Sequence, residues 1–365
     1  MRNSVLTIHR WTGLTVGLIL VFLALTGVSM AFRSEIEPIV DAGLLQVNSR
    51  CASRLPLDDL AARARLSHPG ETVAQVETST GPGPTIVRFA DMNGVYFDAC
   101  TGHVLGQQNR WGGFFGTIEW LHRLRFVGDT DVSETIGGSV AFVALVVMVA
   151  GGLFVWWPRT WKAFRNGIKF RFNLRGRAFD MSLHRSAGFY VAAVLLLSTT
   201  TALTFTFDWA RGAIFAATGT KPMPRKPVLE PSKAPLAPLE AMLASTLRAV
   251  PDANDIQIIL PRKPRDSVEV QVVEDGAPHK EAKTFVFLQP ASAQVIRVDS
   301  YAASGLGNKI YRFLGALHMG AIGGPPVQAL LFMGILGVPL LAFTGFRSYL
   351  RGRRAVVVAK ARTVR

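Results

Sequence analysis

Four stretches, residues 13–32, 136–157, 187–207 and 326–346, each run about 20 residues without a Lys, Arg, Asp or Glu. That is the length a helix needs to cross a hydrocarbon core of roughly 30 Å. Arg2 and Arg10 give the first stretch the look of a signal peptide. It is long, no A-x-A site follows it and three more stretches come later, so it is expected to remain as a span. The two long segments between change period. In residues 33–135 an amphipathic helix is expected at 57–66, then strands at 73–77, 85–89 and 95–98. Turns are marked by Gly81-Pro82-Gly83-Pro84 and Asn93-Gly94. In residues 208–325 the order returns, with a helix at 236–250 and strands at 256–260, 268–273 and 284–288. A Pro- and Lys-rich linker between Thr218 and Pro238 precedes them. The pattern predicts a membrane protein with four transmembrane α-helices and two small inserted α+β domains. Its expected parts are 1–32 (N-terminal segment and first span), 33–135 (first domain), 136–157 (span), 158–186 (loop), 187–207 (span), 208–325 (second domain), 326–346 (span) and 347–365 (tail).

Charge orients this layout. Of 365 residues 49% are hydrophobic and only 18% charged, which excludes a disordered chain. A net charge of +15 invites a nucleic-acid reading. The distribution argues against it. The short flanks before the first span, between the second and third and after the fourth hold 17 Lys and Arg against one acid, Asp180. The rest of the chain holds 23 against 24. The whole excess sits on one side, as the positive-inside rule and contact with anionic lipid require. Both termini are expected in the cytoplasm of a bacterium, with the protein in the inner membrane and the long segments in the periplasm. Cys51 and Cys100, the only cysteines, both fall in the first outer segment, where a disulfide is permitted. Paired and free states both stay open. No C-x-x-C or C-x-x-C-H occurs, so a cysteine zinc cluster and covalently attached haem are excluded.

The chain also repeats itself. Ile8-His9-Arg10-Trp11-Thr12-Gly13-Leu14 at the first span answers to Leu183-His184-Arg185-Ser186-Ala187-Gly188-Phe189 at the third. With the same offset Thr26 meets Thr201, Gly27 meets Ala202 and Phe32 meets Phe207. Leu121-His122 precedes the second span and Leu317-His318 the fourth. Each half is span, outer domain, span, and the halves run in the same direction, a parallel repeat.

A helix followed by strands and the closing Asp98-Ala99-Cys100-Thr101-Gly102-His103-Val104-Leu105-Gly106 resembles a PepSY domain. The Ile8–Leu14 signature beside such a domain resembles the PepSY-associated transmembrane family, and the resemblance covers nearly the whole chain. It implies two PepSY-like periplasmic domains. The family includes bacterial inner-membrane proteins of iron uptake, among them ferric-siderophore reductases that carry haem. The second closing segment, from Leu288 to Ile296, departs from the pattern by lacking Thr-Gly.

Four of the seven histidines stand at equivalent points of the repeat. His9 and His184 lie at the cytoplasmic ends of the first and third spans, and His122 and His318 on the periplasmic approaches to the second and fourth. Ionisable residues at such places ask for a partner or a function. If the repeat axis brings like spans together, each level offers two neutral imidazoles, the axial set of six-coordinate haem iron. The expected cofactors are therefore two non-covalent, bis-histidine b-type haems, with all four histidines as axial ligands of the iron. Zinc would want a third or fourth ligand that neither level supplies. Arg10, Arg123 and Arg185 follow their histidines directly and are candidate partners of haem propionates; snorkelling to lipid phosphate explains each as well. Glycines 13, 17, 27 and 188 suit close approach of helices or of a flat macrocycle. His68, His103 and His279 are expected to be ordinary exposed residues.

One haem per face would make a path for electrons from a separate cytoplasmic or membrane donor (a reductase, a flavin or a quinol) to a periplasmic ferric-siderophore, whose reduction releases ferrous iron. About 20 helical residues rise roughly 30 Å, long for one hop. Phe22, Phe142, Phe205 and Phe332 between the levels, or a homodimer that brings haems of two chains together, are ways to shorten it. A second reading makes the chain a non-enzymatic membrane anchor whose PepSY domains bind or regulate periplasmic peptidases or other partners. A third, a permease, is disfavoured because no broken polar span is expected. No nucleotide fingerprint, Ser-His-Asp set or paired carboxylates stand out.

Overall fold

A computed structural model of the chain describes residues 1–47, 53–232 and 234–363, with side chains as far as residue 354. The chain divides into two compact units. One comprises Met1–Phe32, Ile118–Arg211 and His318–Arg365, the other Arg33–Thr117 and Gly212–Leu317.

The first unit is helical; helices are numbered along the chain. It contains α1 (Arg2–Thr15), α2 (Gly17–Ser29), α7 (Thr130–Val143), α8 (Gly151–Trp156), α9 (Trp161–Gly167), α10 (Gly176–Thr206) and α14 (Gly324–Thr363). A π-helical turn, Ala144–Ala150, joins α7 to α8. Among the described residues three continuous helices are long and apolar enough to span a membrane: Thr130–Trp156, Gly176–Thr206 and Gly324–Arg354. The first expected span differs. It is the pair α1 and α2, bent by 60° at Val16, so the expectation of unbroken spans fails there. The Thr15 hydroxyl donates back to the carbonyl of Trp11 at 3.0 Å, a contact that bends helices, and Gly17 follows it. Helix α10 packs on α14 and α7, α14 on α2, and α1 on α8. The surface is inverted relative to a water-soluble fold: Leu18, Leu330 and Met333 are exposed while Thr26, Thr201, Thr344 and Asp180 are buried. Lipid is the solvent in which that arrangement is stable.

Asp180, the lone acid of the basic flanks, has a partner within this unit. It is fully buried on α10, and its carboxylate accepts from Arg351 of α14 at 2.6 Å, with Arg347 at 3.7 Å.

The second unit is built on one antiparallel sheet of eight strands: β1 (Val73–Ser79), β2 (Thr85–Phe89), β3 (Asn93–Phe97), β4 (Val104–Asn109), β5 (Ala253–Ile259), β6 (Val268–Glu274), β7 (Lys283–Leu288) and β8 (Val295–Asp299). Their order is β4-β3-β2-β1-β5-β6-β7-β8. Strands β4 and β8 extend the sheet beyond the expected strands. The two expected domains are thus not separate: β1 of one half pairs with β5 of the other, Val76 opposite Ile258. Alone, each half would leave that strand as an open edge of unpaired N–H and C=O groups. Helices α5 (Leu57–Ser67) and α12 (Leu239–Ala249) bury Leu60, Ala64 and Met242 against Val76, Phe89, Phe97, Ile258 and Val270 in one core. Short helices α3 (Arg33–Val40), α4 (Ala42–Leu45) and α11 (Asp208–Thr218) complete the set with α6 (Gly113–His122) and α13 (Leu306–His318), which end on the two histidines.

The helix starts are cross-linked. Pro56 and Pro238 occupy the N-cap positions and offer no side-chain cap. Instead Asp58 of α5 accepts from the backbone N–H of Leu239 at 2.9 Å and of Glu240 at 3.0 Å. Glu240 of α12 returns the favour to the N–H of Leu57 at 3.0 Å. Each carboxylate also meets the positive end of the other helix.

The closing motif acts as a turn. Asp98 accepts from the N–H of Cys100 at 2.8 Å, and Gly102 takes the left-handed conformation at φ 70°. The second half keeps that turn with Gln289 accepting from Ala291 N–H at 3.2 Å and Ala293 at φ 56° where glycine stood. Cys100 is disulfide-bonded; Cys51 lies outside the described residues.

Candidate functional site

All four repeat-related histidines belong to the helical unit, and each is held in one manner. The Nδ1 of His122 donates to the carbonyl of Leu23 at 3.1 Å and to the hydroxyl of Thr26 at 3.0 Å, both on α2. His184 donates to the carbonyl of Leu341 at 3.0 Å and the hydroxyl of Thr344 at 3.1 Å, both on α14. His318 donates to the hydroxyl of Thr201 on α10 at 2.7 Å. His9 donates to the carbonyl of Val147 at 3.0 Å. A backbone carbonyl can only accept, so Nδ1 carries the proton wherever one is the partner. Each threonine hydroxyl donates in turn to its own helix: Thr26 to Phe22, Thr201 to Leu197 and Thr344 to Leu340. Its oxygen is thereby left to accept from the ring. Among the described residues no hydrogen bond engages Nε2 of any of the four.

Three of the rings come close to glycines. A Cβ at Gly27 would stand 3.2 Å from Cε1 of His122, one at Gly152 3.0 Å from that of His9, and one at Gly345 3.3 Å from that of His184. The repeat register marked Gly27 and Thr26 in the sequence but gave no sign that they hold a histidine.

The histidines come together in pairs. The ring centroids of His9 and His184 are 6.5 Å apart with planes at 87°. His122 and His318 lie within electrostatic reach of each other and of Arg123. Phe205 stands edge-on to His318 at 5.5 Å. Of the other aromatics between the levels, Phe22 meets Phe126, Phe332 meets Phe32 and Phe142 meets Trp209. The three arginines differ. Arg123 is paired with the buried Glu119 at 3.1 Å, Arg10 lies over Trp11 at 5.8 Å, and Arg185 is exposed.

The remaining histidines lie elsewhere. His103 is exposed and His68 stacks on Phe89 at 4.6 Å. His279, expected at the surface, is 8% exposed between Tyr301 and Phe313 in the sheet unit. Neither of its nitrogens has a hydrogen-bond partner among the described residues. Burial pushes its pKa below the ordinary value, Glu281 opposes that shift and Arg312 adds to it.

The donor chemistry is specific. Among the described residues no three His, Cys, Asp or Glu side chains gather as a zinc cage would need. What the unit offers is imidazoles in twos, with Nδ1–H tied back and Nε2 free. Ligating histidines in metal proteins are held in this way, the second nitrogen fixing ring plane and tautomer. His9 and His184, with ring centroids 6.5 Å apart, fit the bis-imidazole set of a haem.

An apolar-surfaced bundle holding inward polar groups, carried in one chain with a sheet made of two like halves, defines an integral membrane protein of doubled plan. The chain matches the PepSY-associated TM region over residues 6–351 and belongs to that family. No curated protein matches it.

Proposed function

We propose that the chain is an inner-membrane electron-transfer enzyme that binds two b-type haems and reduces periplasmic ferric-siderophore, releasing ferrous iron. The observation that carries this reading is the common holding of four imidazoles, in two pairs, by Nδ1. A haem bound between two imidazoles supplies a one-electron couple that needs no acid, base or nucleophile. The chain's own part is to fix four ring planes, keep Nε2 deprotonated and surround the rings with apolar helix. On the expected topology His9 and His184 belong to the side of a cytoplasmic reductase, flavin or quinol donor. His122 and His318 belong to the side of the siderophore. One electron from the donor converts ferric to ferrous iron and weakens its hard-oxygen chelation. Arg10 and Arg185 are the better candidates for haem propionates, since Glu119 already engages Arg123.

The anchor reading has one observation in its favour: the sheet ends on β8, whose Val295, Ile296 and Val298 are exposed and able to receive a partner's strand. Colour separates the two. Full-length protein purified from haem-replete cells should show a Soret band and sharp low-spin bands on reduction with dithionite. Each band should fall by about half in His9→Ala and in His318→Ala. Reduced protein should be reoxidised by ferric-siderophore. A colourless preparation sinks the enzyme and leaves the anchor.

A further inference from the structure

Three of the four histidines share one kind of seat. It reads carbonyl, two residues, threonine, small residue: Leu23-Ala24-Leu25-Thr26-Gly27 for His122, and Leu341-Ala342-Phe343-Thr344-Gly345 for His184. For His318 it reads Ser198-Thr199-Thr200-Thr201-Ala202, with the Thr201 hydroxyl as the accepting group and the Ser198 carbonyl in the place of the other two. Carbonyl and small residue are one α-helical turn apart in each. The seat of His9 departs from this in two ways. It reads Val147-Met148-Val149-Ala150-Gly151-Gly152, which has no hydroxyl and one residue more between carbonyl and glycine.

The extra residue is accommodated by winding. Residues Ala144–Ala150 form a π-helical turn, and the N–H of Gly151 reaches back to the carbonyl of Val146. Where such a turn returns to α-helical winding, the ladder of N–H groups passes over one carbonyl, which must find another donor. Val147, next in line after Val146, accepts from His9 at 3.0 Å.

We infer that this π-helical turn is the positioning element of His9, replacing by a freed carbonyl the threonine that orients the other three rings. The inference rests on the reading of His9 as an iron ligand, and it assigns to the turn a place in that site rather than a packing role. Loss of an orienting partner of a ligating histidine costs about 10–100-fold in affinity.

The test uses full-length protein and two variants. Deleting Gly151 leaves Val147-Met148-Val149-Ala150-Gly152, the shorter spacing without a threonine. The same deletion with Ala150→Thr completes the seat found in the other helices. Haem content should fall from about two per chain to about one in the deletion, and return in the combined variant. The bands of the His122/His318 site should be unmoved in both. Nitrogen NMR of histidine-labelled, haem-free protein supplies the second measurement. His9 should be a single Nδ1–H tautomer in wild type and in the combined variant, and a mixture in the deletion. Full haem in the deletion with an unchanged reduction potential overturns the inference, as does a deficit that threonine fails to repair. Should wild type bind no haem, the iron reading falls and the tautomer alone decides whether the turn positions His9.

Discussion

The two units of this chain place their apolar atoms in opposite ways. The sheet unit puts Leu60, Val76, Phe97 and Met242 inside, completely buried. The helical unit puts leucines outside and gathers Thr and Asp within, with its four histidines half-buried. In the first, stability is spread over area, and no single contact defines the geometry. In the second, a few hydrogen bonds of about 3 Å fix ring planes, and hydrophobic area between helices contributes little because lipid is equally apolar. The lesson is that one sequence secures shape in one unit and orientation in the other.

Three substitutions break or sharpen this contrast. Phe97→Ala, in the core under α5 and α12, should lower the opening free energy of the strands by about 3–5 kcal/mol, read by amide hydrogen exchange. On the proposed haem reading its absorption spectrum should match wild type; a shifted spectrum would show that the units do not keep their tasks apart. Asp58→Ala removes the acceptor of two backbone N–H groups at the start of α12 and should cost about 1–2 kcal/mol. Exchange should quicken first at Leu239 and Glu240. Ala293→Gly acts in the opposite sense. It relieves a left-handed alanine at φ 56° and should stabilise the sheet by roughly 0.5–1 kcal/mol after glycine's entropic cost. An unchanged or lowered stability there would mean that the turn is held by packing rather than by its backbone.

Much of the architecture was legible. Strands β2 and β6 and helix α5 follow from alternation and amphipathicity almost to the residue. Strands β4 and β8 do not. They lie at the sheet's outer edges, where Gln107, Gln108 and Arg297 break the apolar rhythm on which a strand is recognised. The joining of β1 to β5 leaves no local mark, since edge pairing between distant segments depends on backbone groups that every residue carries. At the site, the repeat singles out His9, His122, His184 and His318, because symmetry is a property of sequence. Their anchors were only half visible. Thr26 and Thr201 fall in register, yet a threonine in a span reads equally as a helix-packing residue. The π-helical turn at His9 shows only as one residue too many, and only once Val147 and Gly152 are known to touch the same ring. His279 was misread because its loop position suggests exposure, while its burial comes from Tyr301 and Phe313 further along the chain.

The crossed carboxylates at Asp58 and Glu240 have a consequence for each half taken singly. Equivalent strands joined antiparallel, and equivalent helices each finished by the other's acid, have the form of an isologous dimer contact folded into one polypeptide. A half expressed by itself would begin its helix on a proline with bare amides behind it, and would hold an unpaired acid with nothing to grip. Two such halves, expressed as separate chains, would meet that need only by associating with each other.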